Sequence, residues 1–255
     1  MNRLEAKALT GGFGDLIQEL CVSVPVGQRL VFIGPNGSGK STLLKLLAGQ
    51  LRGKGQVLLD GEAILRLKRS ALAKTLGYLT QAPEALEHFA VRELVLQGRY
   101  PHLGPLGSPS VSDFEAVERA IEDVGLQSLM DRKLSTLSGG ERQRAWIALA
   151  LAQGAQTLLL DEPTTYLDLG HAHEILKLLS RLVSERSMTL VAVLHDLGQA
   201  SKFADRIVAL KDGKIVADGP AYQILTPELI HSLYGVWVRI WTDPETRMVC
   251  PIPLD

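Results

Sequence analysis

A glycine-rich loop with one lysine carries the clearest chemical signal in the sequence. Residues 34–42 read GPNGSGKST, between an apolar run (30–33) that predicts a strand and a run (41–48) with helical spacing. In that context the glycines let backbone N–H groups turn toward a phosphate, and the helix N-terminus adds a favourable dipole. The Lys40 ammonium would neutralise phosphate oxygens, and the Ser41 hydroxyl would complete a Mg²⁺ shell. The predicted nucleotide-binding residues are Gly34, Pro35, Asn36, Gly37, Ser38, Gly39, Lys40, Ser41 and Thr42.

Two adjacent carboxylates follow a second apolar run. Residues 157–163 read TLLLDEP, and three consecutive leucines fit a central parallel strand that is covered on both faces. Asp161 and Glu162 at its end project differently, so one can hold Mg²⁺ through water while the other orients an attacking water. The alternative is that they are capping or surface acids.

Two further strand ends carry polar side chains. Residues 189–196 (TLVAVLHD) predict a buried strand that ends near His195, and residues 75–81 (TLGYLTQ) predict one that ends at Gln81. Ligands of open α/β sheets gather at the carboxyl ends of the strands. A histidine at a strand end is often structural, but this position favours a contact with the γ-phosphate. Gln81 is weak evidence by itself, because most loop glutamines face water.

A glycine pair opens another predicted helix. Ser138 and Glu141 have capping-box spacing, and Gly139 and Gly140 fall in the first turn. Each glycine costs roughly 1 kcal/mol against alanine in a helix, which suggests that something approaches the backbone closely there. Free N–H groups at a helix start suit an anion. The alternative is simply a well-capped helix.

The remaining segments predict the domain organisation. Residues 1–33 predict short strands, and Phe13 in their first loop either plugs the edge of a small sheet or stacks on an adenine ring. Helices are predicted from 82 to 154, one of them opened by a capping box at Ser112 and Glu115. We expect a single domain (1–255). Its parts are a nucleotide-binding α/β core with a β subdomain (1–81 and 155–233), a helical subdomain (82–154) and a C-terminal hairpin that carries Trp237 and Trp241 (234–255).

Composition excludes several classes of function. The chain has 255 residues and a net charge of -1, so no basic field favours nucleic acid. Cys21 and Cys250 match no metal spacing and predict reduced thiols in a cytosolic protein, and His171 and His173 lie on different helix faces and make a poor metal pair. No run approaches the roughly 18 apolar residues that span a bilayer, so another chain would have to hold this one at a membrane.

In order and spacing, these residues resemble the ATP-binding-cassette ATPases over essentially the whole chain. LSGG (137–140), placed shortly before LLLDE (158–162), is far more specific than the phosphate loop, which many NTPases share. The resemblance implies an α/β fold, namely a P-loop NTPase (RecA-like) core with an N-terminal antiparallel β subdomain and a helical insertion subdomain. The other residues that carry the resemblance are Gln81, Leu167, Asp168 and His195.

The resemblance also implies an assembly and a set of roles. Two copies would form a head-to-tail homodimer with two ATP molecules, each between one phosphate loop and the Ser138, Gly139 and Gly140 of the other copy. Asp168 would cross that interface, and Phe13 matches the adenine-stacking aromatic. The implied Mg²⁺ ligands are Ser41, Gln81 and, through water, Asp161. The implied catalytic residues are Glu162, which polarises the hydrolytic water, His195, which contacts the γ-phosphate, and Gln81.

Finer detail is similar to the importers of iron–siderophore, haem and cobalamin, through residues 91–104, 141–147, 163–168 and 193–197. This implies a Mg²⁺-dependent ATPase at the cytoplasmic face of a bacterial inner membrane, under two permease subunits fed by a periplasmic or lipid-anchored substrate-binding protein. The permease would dock between Gln81 and about Gly107. We expect ferric siderophore as the substrate, with cobalamin or haem as the alternative.

Other cassette proteins fit the sequence less well. DNA-repair and chromosome cassettes insert long coiled coils, and translation-factor cassettes carry two tandem copies, whereas this chain has no such heptads and a single copy. A soluble cassette switch outside transport and a non-hydrolysing binding module stay open, although Glu162 and His195 argue against the latter. An exporter half would bring its own membrane spans.

Overall fold

The computed structural model describes residues 1–80, 86–103, 107–246 and 248–254. The strands within these ranges are β1 (Asn2–Gly11), β2 (Ile17–Pro25), β3 (Arg29–Ile33), β4 (Gly53–Leu59), β5 (Glu62–Ala63), β6 (Leu76–Leu79), β7 (Thr157–Asp161), β8 (Thr189–Val193), β9 (Arg206–Lys211), β10 (Lys214–Gly219), β11 (Val238–Thr242) and β12 (Val249–Pro253). The helices are α1 (Lys40–Leu47), α2 (Arg69–Thr75), α3 (Val91–Gln97), α4 (Val111–Asp123), α5 (Gly139–Ala152), α6 (Leu169–Arg186), α7 (Leu197–Phe203), α8 (Ala221–Ile224) and α9 (Pro227–Tyr234).

Six of the described strands form the sheet that carries the candidate site. Their order is β10-β9-β3-β8-β7-β6, and all neighbours are parallel except the β9–β10 hairpin. The apolar runs that predicted β3, β7 and β8 are buried on both faces, as parallel strands covered by helices require. Because the strands are parallel, the carboxyl ends of β3, β7 and β8 lie at one edge of the sheet.

A smaller sheet in the order β2-β1-β4-β5 packs on α1 through a second apolar cluster. The β4–β5 hairpin turns at Asp60 and Gly61, whose φ angles of 51° and 83° suit a two-residue turn that matches the twist of the strands. The predicted α/β class, with short antiparallel strands ahead of the phosphate loop, is confirmed.

The helices α3, α4 and α5 share the larger apolar cluster with the main sheet. At the other end of the chain, β11 and β12 pair as an antiparallel hairpin. The backbone N–H of Val249 donates to Ser201 Oγ on α7 (2.8 Å), and Trp237 stacks on His231 with ring centroids 4.1 Å apart. None of the described helices is both long enough and apolar enough to cross a membrane.

The capping box predicted at Ser112 and Glu115 is wrong. Helix α4 is capped by Ser110, whose N–H and hydroxyl donate to Asp113 Oδ2 at 2.9 and 2.6 Å. Asp113 also accepts from Arg99 Nε (2.8 Å), and Arg99 in turn donates to the Ala152 carbonyl at the end of α5 (2.6 Å). This tertiary ion pair fixes Asp113 at the third helical position, so the helix begins two residues earlier than the pattern indicates.

The first turn of α5 packs against α6. Gly140 is buried, and a Cβ added to it would lie 2.6 Å from Cδ2 and 3.1 Å from Cβ of His171. Movement of the His171 ring away from such a Cβ would give up its contact with Asp168, because its Nδ1 lies 2.8 Å from Asp168 Oδ2. The close approach predicted from the glycine pair is therefore present at Gly140, and the neighbour is a histidine of the same chain.

We expect Asp113→Asn to lower the free energy of unfolding at neutral pH. The free energy of unfolding of the variant should also change less than that of the wild type as the pH falls. Hydrogen bonds from Ser110, and then from Arg99, hold the pKa of Asp113 well below its usual range. A carboxyl with a lower pKa in the folded chain stabilises the fold above its unfolded pKa, and that stability is lost as the pH falls. The difference between wild type and variant should therefore shrink below about pH 4 in urea titrations. Glu115→Gln, which changes the exposed acid of the discarded capping box, is the matched control, and an equal loss in both variants would contradict this cap.

We expect Gly140→Ala to destabilise the wild-type chain by about 1–3 kcal/mol, because the added methyl overpacks against His171. In a His171→Ala background the same change should instead stabilise by about 1 kcal/mol, since alanine is then the better helix former. Urea unfolding of the four proteins measures both effects. The same sign in both backgrounds would remove His171 as the reason for this glycine.

Candidate functional site

The phosphate loop lies between the carboxyl end of β3 and the start of α1, as predicted. Two of its glycines adopt backbone conformations that disfavour a side chain, since Gly34 and Gly39 have φ angles of 145° and 99°. A Cβ at Gly34 would also lie 2.1 Å from the Leu210 carbonyl oxygen on β9. Lys40 is 5% exposed, and its Nζ donates to the carbonyls of Gly34 and Pro35, both at 2.8 Å. Burial lowers the pKa of Lys40, although the charges of Glu162 and Asp161 oppose that shift. The loop therefore holds a buried cation at the start of a helix, and the positive charge of that cation suits a phosphate.

The first carboxylate of the pair lies against the start of α1. The Ser41 hydroxyl donates to Asp161 Oδ1 at 2.9 Å. Burial raises the pKa of Asp161, and the Ser41 hydrogen bond opposes that rise. A hydroxyl and a carboxylate oxygen side by side are ligands that Mg²⁺ prefers, and substrate phosphates usually supply others. The described ranges contain no group of three or more His, Cys, Asp or Glu side chains that could hold a metal ion.

The second carboxylate meets the histidine of the neighbouring strand. Glu162 Oε1 lies 2.6 Å from His195 Nε2, so the polar residues that follow β7 and β8 are in direct contact. Glu162 has a φ of 57°, an uncommon conformation for a residue with a side chain. Its other oxygen, Oε2, accepts a hydrogen bond from Thr165 Oγ1 at 3.1 Å. Thr165 was missed at the sequence level. The one available signal was its place three residues after Glu162, a spacing at which a four-residue turn can bring the two side chains together.

Ser138 and Asp168 act as helix caps within this chain. Glu141 N–H donates to Ser138 Oγ (3.3 Å), and Ser138 N–H donates to Glu141 Oε2 (2.8 Å), which confirms the predicted capping box. Asp168 Oδ1 accepts from the His171 backbone N–H at 2.8 Å, the main cause that lowers the pKa of Asp168. Both caps are exposed, and no hydrogen bond between described residues joins either one to the phosphate loop.

The surroundings of the two caps, Ser138 and Asp168, are apolar and exposed to solvent. Gly139 is half-buried beside Leu167, and Tyr166 on the adjoining loop and Leu169 at the start of α6 are 91% and 81% exposed. Tyr166 also has a positive φ, of 64°. The start of α5 and the loop before α6 thus present backbone groups and large apolar side chains to the outside of the chain.

Two other predicted residues have different outcomes. Phe13 lies on a turn between β1 and β2 and is fully exposed, so the interpretation of Phe13 as a plug of the sheet edge is wrong. A free aromatic ring at this place is available to stack. Gln81 lies outside the described residues.

A groove of ≈ 480 Å³ opens beside α3, within the segment predicted to dock a permease. Phe89 and Leu96 are half-buried in it, and His88 and Glu93 are exposed. The groove therefore combines an apolar floor with charged or polar edges, as a site for a short helix would.

Comparison with known proteins agrees with this arrangement. A family model described as "ABC transporter" matches residues 17–165. The chain is 42% identical to the iron(3+)-hydroxamate import ATP-binding protein FhuC of Bacillus subtilis (strain 168), over 98% of this chain and 94% of that protein. It is 44% identical to the ferric enterobactin transport ATP-binding protein FepC of Escherichia coli (strain K12), over 99% and 94% respectively.

Solved structures share the same fold. An inward-facing ABC transporter of proposed metal-chelate type aligns with a TM-score of 0.87 at 29% identity, over 100% of this chain and 98% of that chain. A dimeric ATP-binding cassette in a post-hydrolysis state, bound to ADP and phosphate, aligns with a TM-score of 0.72 at 26% identity, over 86% and 98%. With the phosphate loop, the paired carboxylates and the histidine collected at one sheet edge, the chain belongs to the ABC transporter family, as one of its ATP-binding ATPases.

Proposed function

We propose that this chain is the ATP-hydrolysing subunit of a bacterial importer and powers the uptake of a ferric siderophore. The contact between Glu162 and His195, beside the Ser41–Asp161 hydrogen bond, carries the hydrolytic part of the proposal. The substrate class rests on two relatives named for iron(3+)-hydroxamate and ferric enterobactin, which are different chelates of the same ion.

The phosphate loop and its lysine bind the nucleotide in this scheme. Backbone N–H groups of 34–42 face the phosphates, and Lys40 exchanges two carbonyl partners for phosphate oxygens, which satisfy its charge better. Phe13 stacks on the adenine ring. Ser41, Gln81 and, through water, Asp161 would hold Mg²⁺. A bound metal would supply positive charge beside the phosphate oxygens, where negative charge develops during hydrolysis.

Hydrolysis falls to the pair that follows β7 and β8. Glu162 accepts a proton from the attacking water, and its left-handed backbone turns the carboxylate to the strand edge. His195 now contacts Glu162 Oε1, and an arriving γ-phosphate offers the imidazole a second anionic partner. Transfer of the His195 contact to the phosphate frees one Glu162 oxygen for the water.

A second copy of the chain completes each site. The exposed Ser138 and the half-buried Gly139 place the start of α5 at the surface, with Gly140 behind them and the exposed Asp168 capping the adjoining α6, so a partner's ATP can approach this helix start. Each nucleotide would then join two subunits, and hydrolysis would remove that contact and reopen the pair. An isologous contact about a two-fold axis, in which the α5 start of each copy meets the phosphate loop of the other, gives a symmetric dimer with two equal sites.

The membrane partners follow from the groove beside α3. We infer that a cytoplasmic helix of each of two permease subunits docks there, which keeps the chain peripheral at the inner face of the membrane, and that a substrate-binding protein delivers the chelate from outside. In domain terms, 1–81 and 155–233 form the nucleotide-binding core with its β subdomain, 82–154 the helical subdomain, and 234–255 a C-terminal extension.

Uptake assays with labelled ferric siderophore, cobalamin and haem decide the substrate, and uptake of cobalamin or haem alone would replace the first assignment.

We expect Glu162→Gln to bind ATP and dimerise but to hydrolyse ATP about 10²- to 10⁴-fold more slowly, because an amide cannot take the proton. Light scattering with ATP measures the dimer, and phosphate release measures turnover. Turnover close to wild type would remove Glu162 from the chemistry.

We expect Gln97→Arg, in the groove beside α3, to leave the ATPase activity of the isolated subunit unchanged but to abolish siderophore uptake. The added charge and bulk fill the groove where a permease helix would lie. Gln18→Arg, at an exposed position of β2, is the matched control and should support normal uptake. If both variants co-purify equally with the membrane subunits, the groove is not the docking site.

A further inference from the structure

We propose that Thr165 is a positioning residue that holds the Glu162 carboxylate in place for hydrolysis. This inference rests on the proposed role of Glu162 as the base. Thr165 does not touch the nucleotide in this scheme, and it acts through one hydrogen bond from its hydroxyl to Glu162 Oε2 (3.1 Å).

The backbone between the two residues forms a tight turn. Thr165 N–H donates to the Glu162 carbonyl at 3.2 Å, and Pro163 occupies the second position of the turn, which its ring favours. Glu162 adopts a φ of 57°, which a residue with a side chain rarely does. Such a conformation persists where the surroundings enforce it, and here the last residue of the turn bonds to the first through both its backbone and its side chain.

The two carboxylate oxygens of Glu162 have separate partners. His195 Nε2 lies 2.6 Å from Oε1, and the Thr165 hydroxyl donates to Oε2. Among the described residues, no other side chain bonds to this carboxylate. When His195 turns to the γ-phosphate, Oε1 is released for the water, whereas the Thr165 bond stays within the turn. Thr165 is thus the group that keeps the long glutamate side chain from losing its orientation when the reaction begins.

Orientation of this kind has a large effect on rate. A free glutamate side chain has several rotamers, and restricting it to the productive one costs conformational entropy. A hydrogen bond that already holds this rotamer in the folded chain offsets that cost before the reaction begins. A displacement of the base by about 1 Å can lower a rate by as much as 10²-fold. The effect should fall on turnover and not on ATP affinity, because the phosphate loop is untouched.

The neighbouring Thr164 is a built-in control. Its hydroxyl donates to Gln199 Oε1 at 3.0 Å, on α7, and makes no bond to Glu162. The two residues have the same type of side chain, lie next to each other in one loop and are both half-buried. A generic effect of removing a hydroxyl from this loop would therefore affect both.

The test measures ATP hydrolysis and ATP-dependent dimerisation of the full chain. We expect Thr165→Val and Thr165→Ala to lower kcat roughly tenfold with little change in KM for ATP, as loss of one bond to a charged group predicts. Thr165→Ser should restore the rate, because it restores the hydroxyl. Thr164→Val should keep a near wild-type rate. A wild-type kcat in both hydroxyl-free variants, or a Thr165→Ser variant as slow as they are, would overturn the proposal.

A double-mutant cycle separates this proposal from the role of Glu162 itself. In a Glu162→Ala background, Thr165→Val should have no further effect on single-turnover hydrolysis, since the bond it removes is already absent. A further tenfold loss there would show that Thr165 acts elsewhere, and would overturn the inference. Near wild-type hydrolysis by Glu162→Ala alone would instead contradict the proposed base. An inactive Glu162→Ala with a fully active Thr165→Val would overturn only the positioning role.

Discussion

The hydrogen bond from Ser41 to Asp161 ties together two strands that are not neighbours. The sheet order is β9-β3-β8-β7, so the strand that leads into the phosphate loop and the strand that ends in the carboxylates are separated by β8. The bond spans that gap at the carboxyl edge of the sheet, and His195 follows the strand between them. The crevice over these three strand ends is where ligands of open α/β sheets bind, and Lys40, Ser41, Asp161, Glu162 and His195 all lie at these strand ends or follow them in the chain.

Most polar groups proposed for the chemistry already have partners within the chain. Lys40 is held by two carbonyls and Glu162 by His195 and Thr165, and the exposed caps Ser138 and Asp168 bond to residues of their own helices. A buried cation such as Lys40 would be costly without partners. In the proposed scheme, nucleotide binding is an exchange of contacts, in which phosphates replace internal partners such as the two carbonyls that hold Lys40. In such an exchange the charge and geometry of the ligand decide which state of the site is populated.

The sequence predicts the parts of this structure that depend on local pattern. The apolar runs of β3, β7 and β8 are long enough and flanked clearly enough to identify strands, and the capping box at Ser138 is local by nature. The Ser112 prediction failed because a tertiary partner, Arg99, selects Asp113 as the capping acid. The glycine at 140 correctly indicated a close approach, but a pattern cannot say whether the neighbour is a ligand or His171. Thr165 was missed because its bond depends on the left-handed backbone of Glu162, which no residue type in the loop indicates.

The central claim is that each nucleotide is enclosed by the phosphate loop of one copy and the start of α5 of another. A mixing experiment tests it most directly, in a Glu162→Gln background that traps ATP. Lys40→Ala damages every phosphate loop, and Ser138→Arg damages every α5 start, so neither variant alone should retain ATP in a dimer. Mixed in equal amounts, they should form dimers that retain one ATP per pair, since one site then has both intact halves. A mixture that retains no ATP would contradict the shared site.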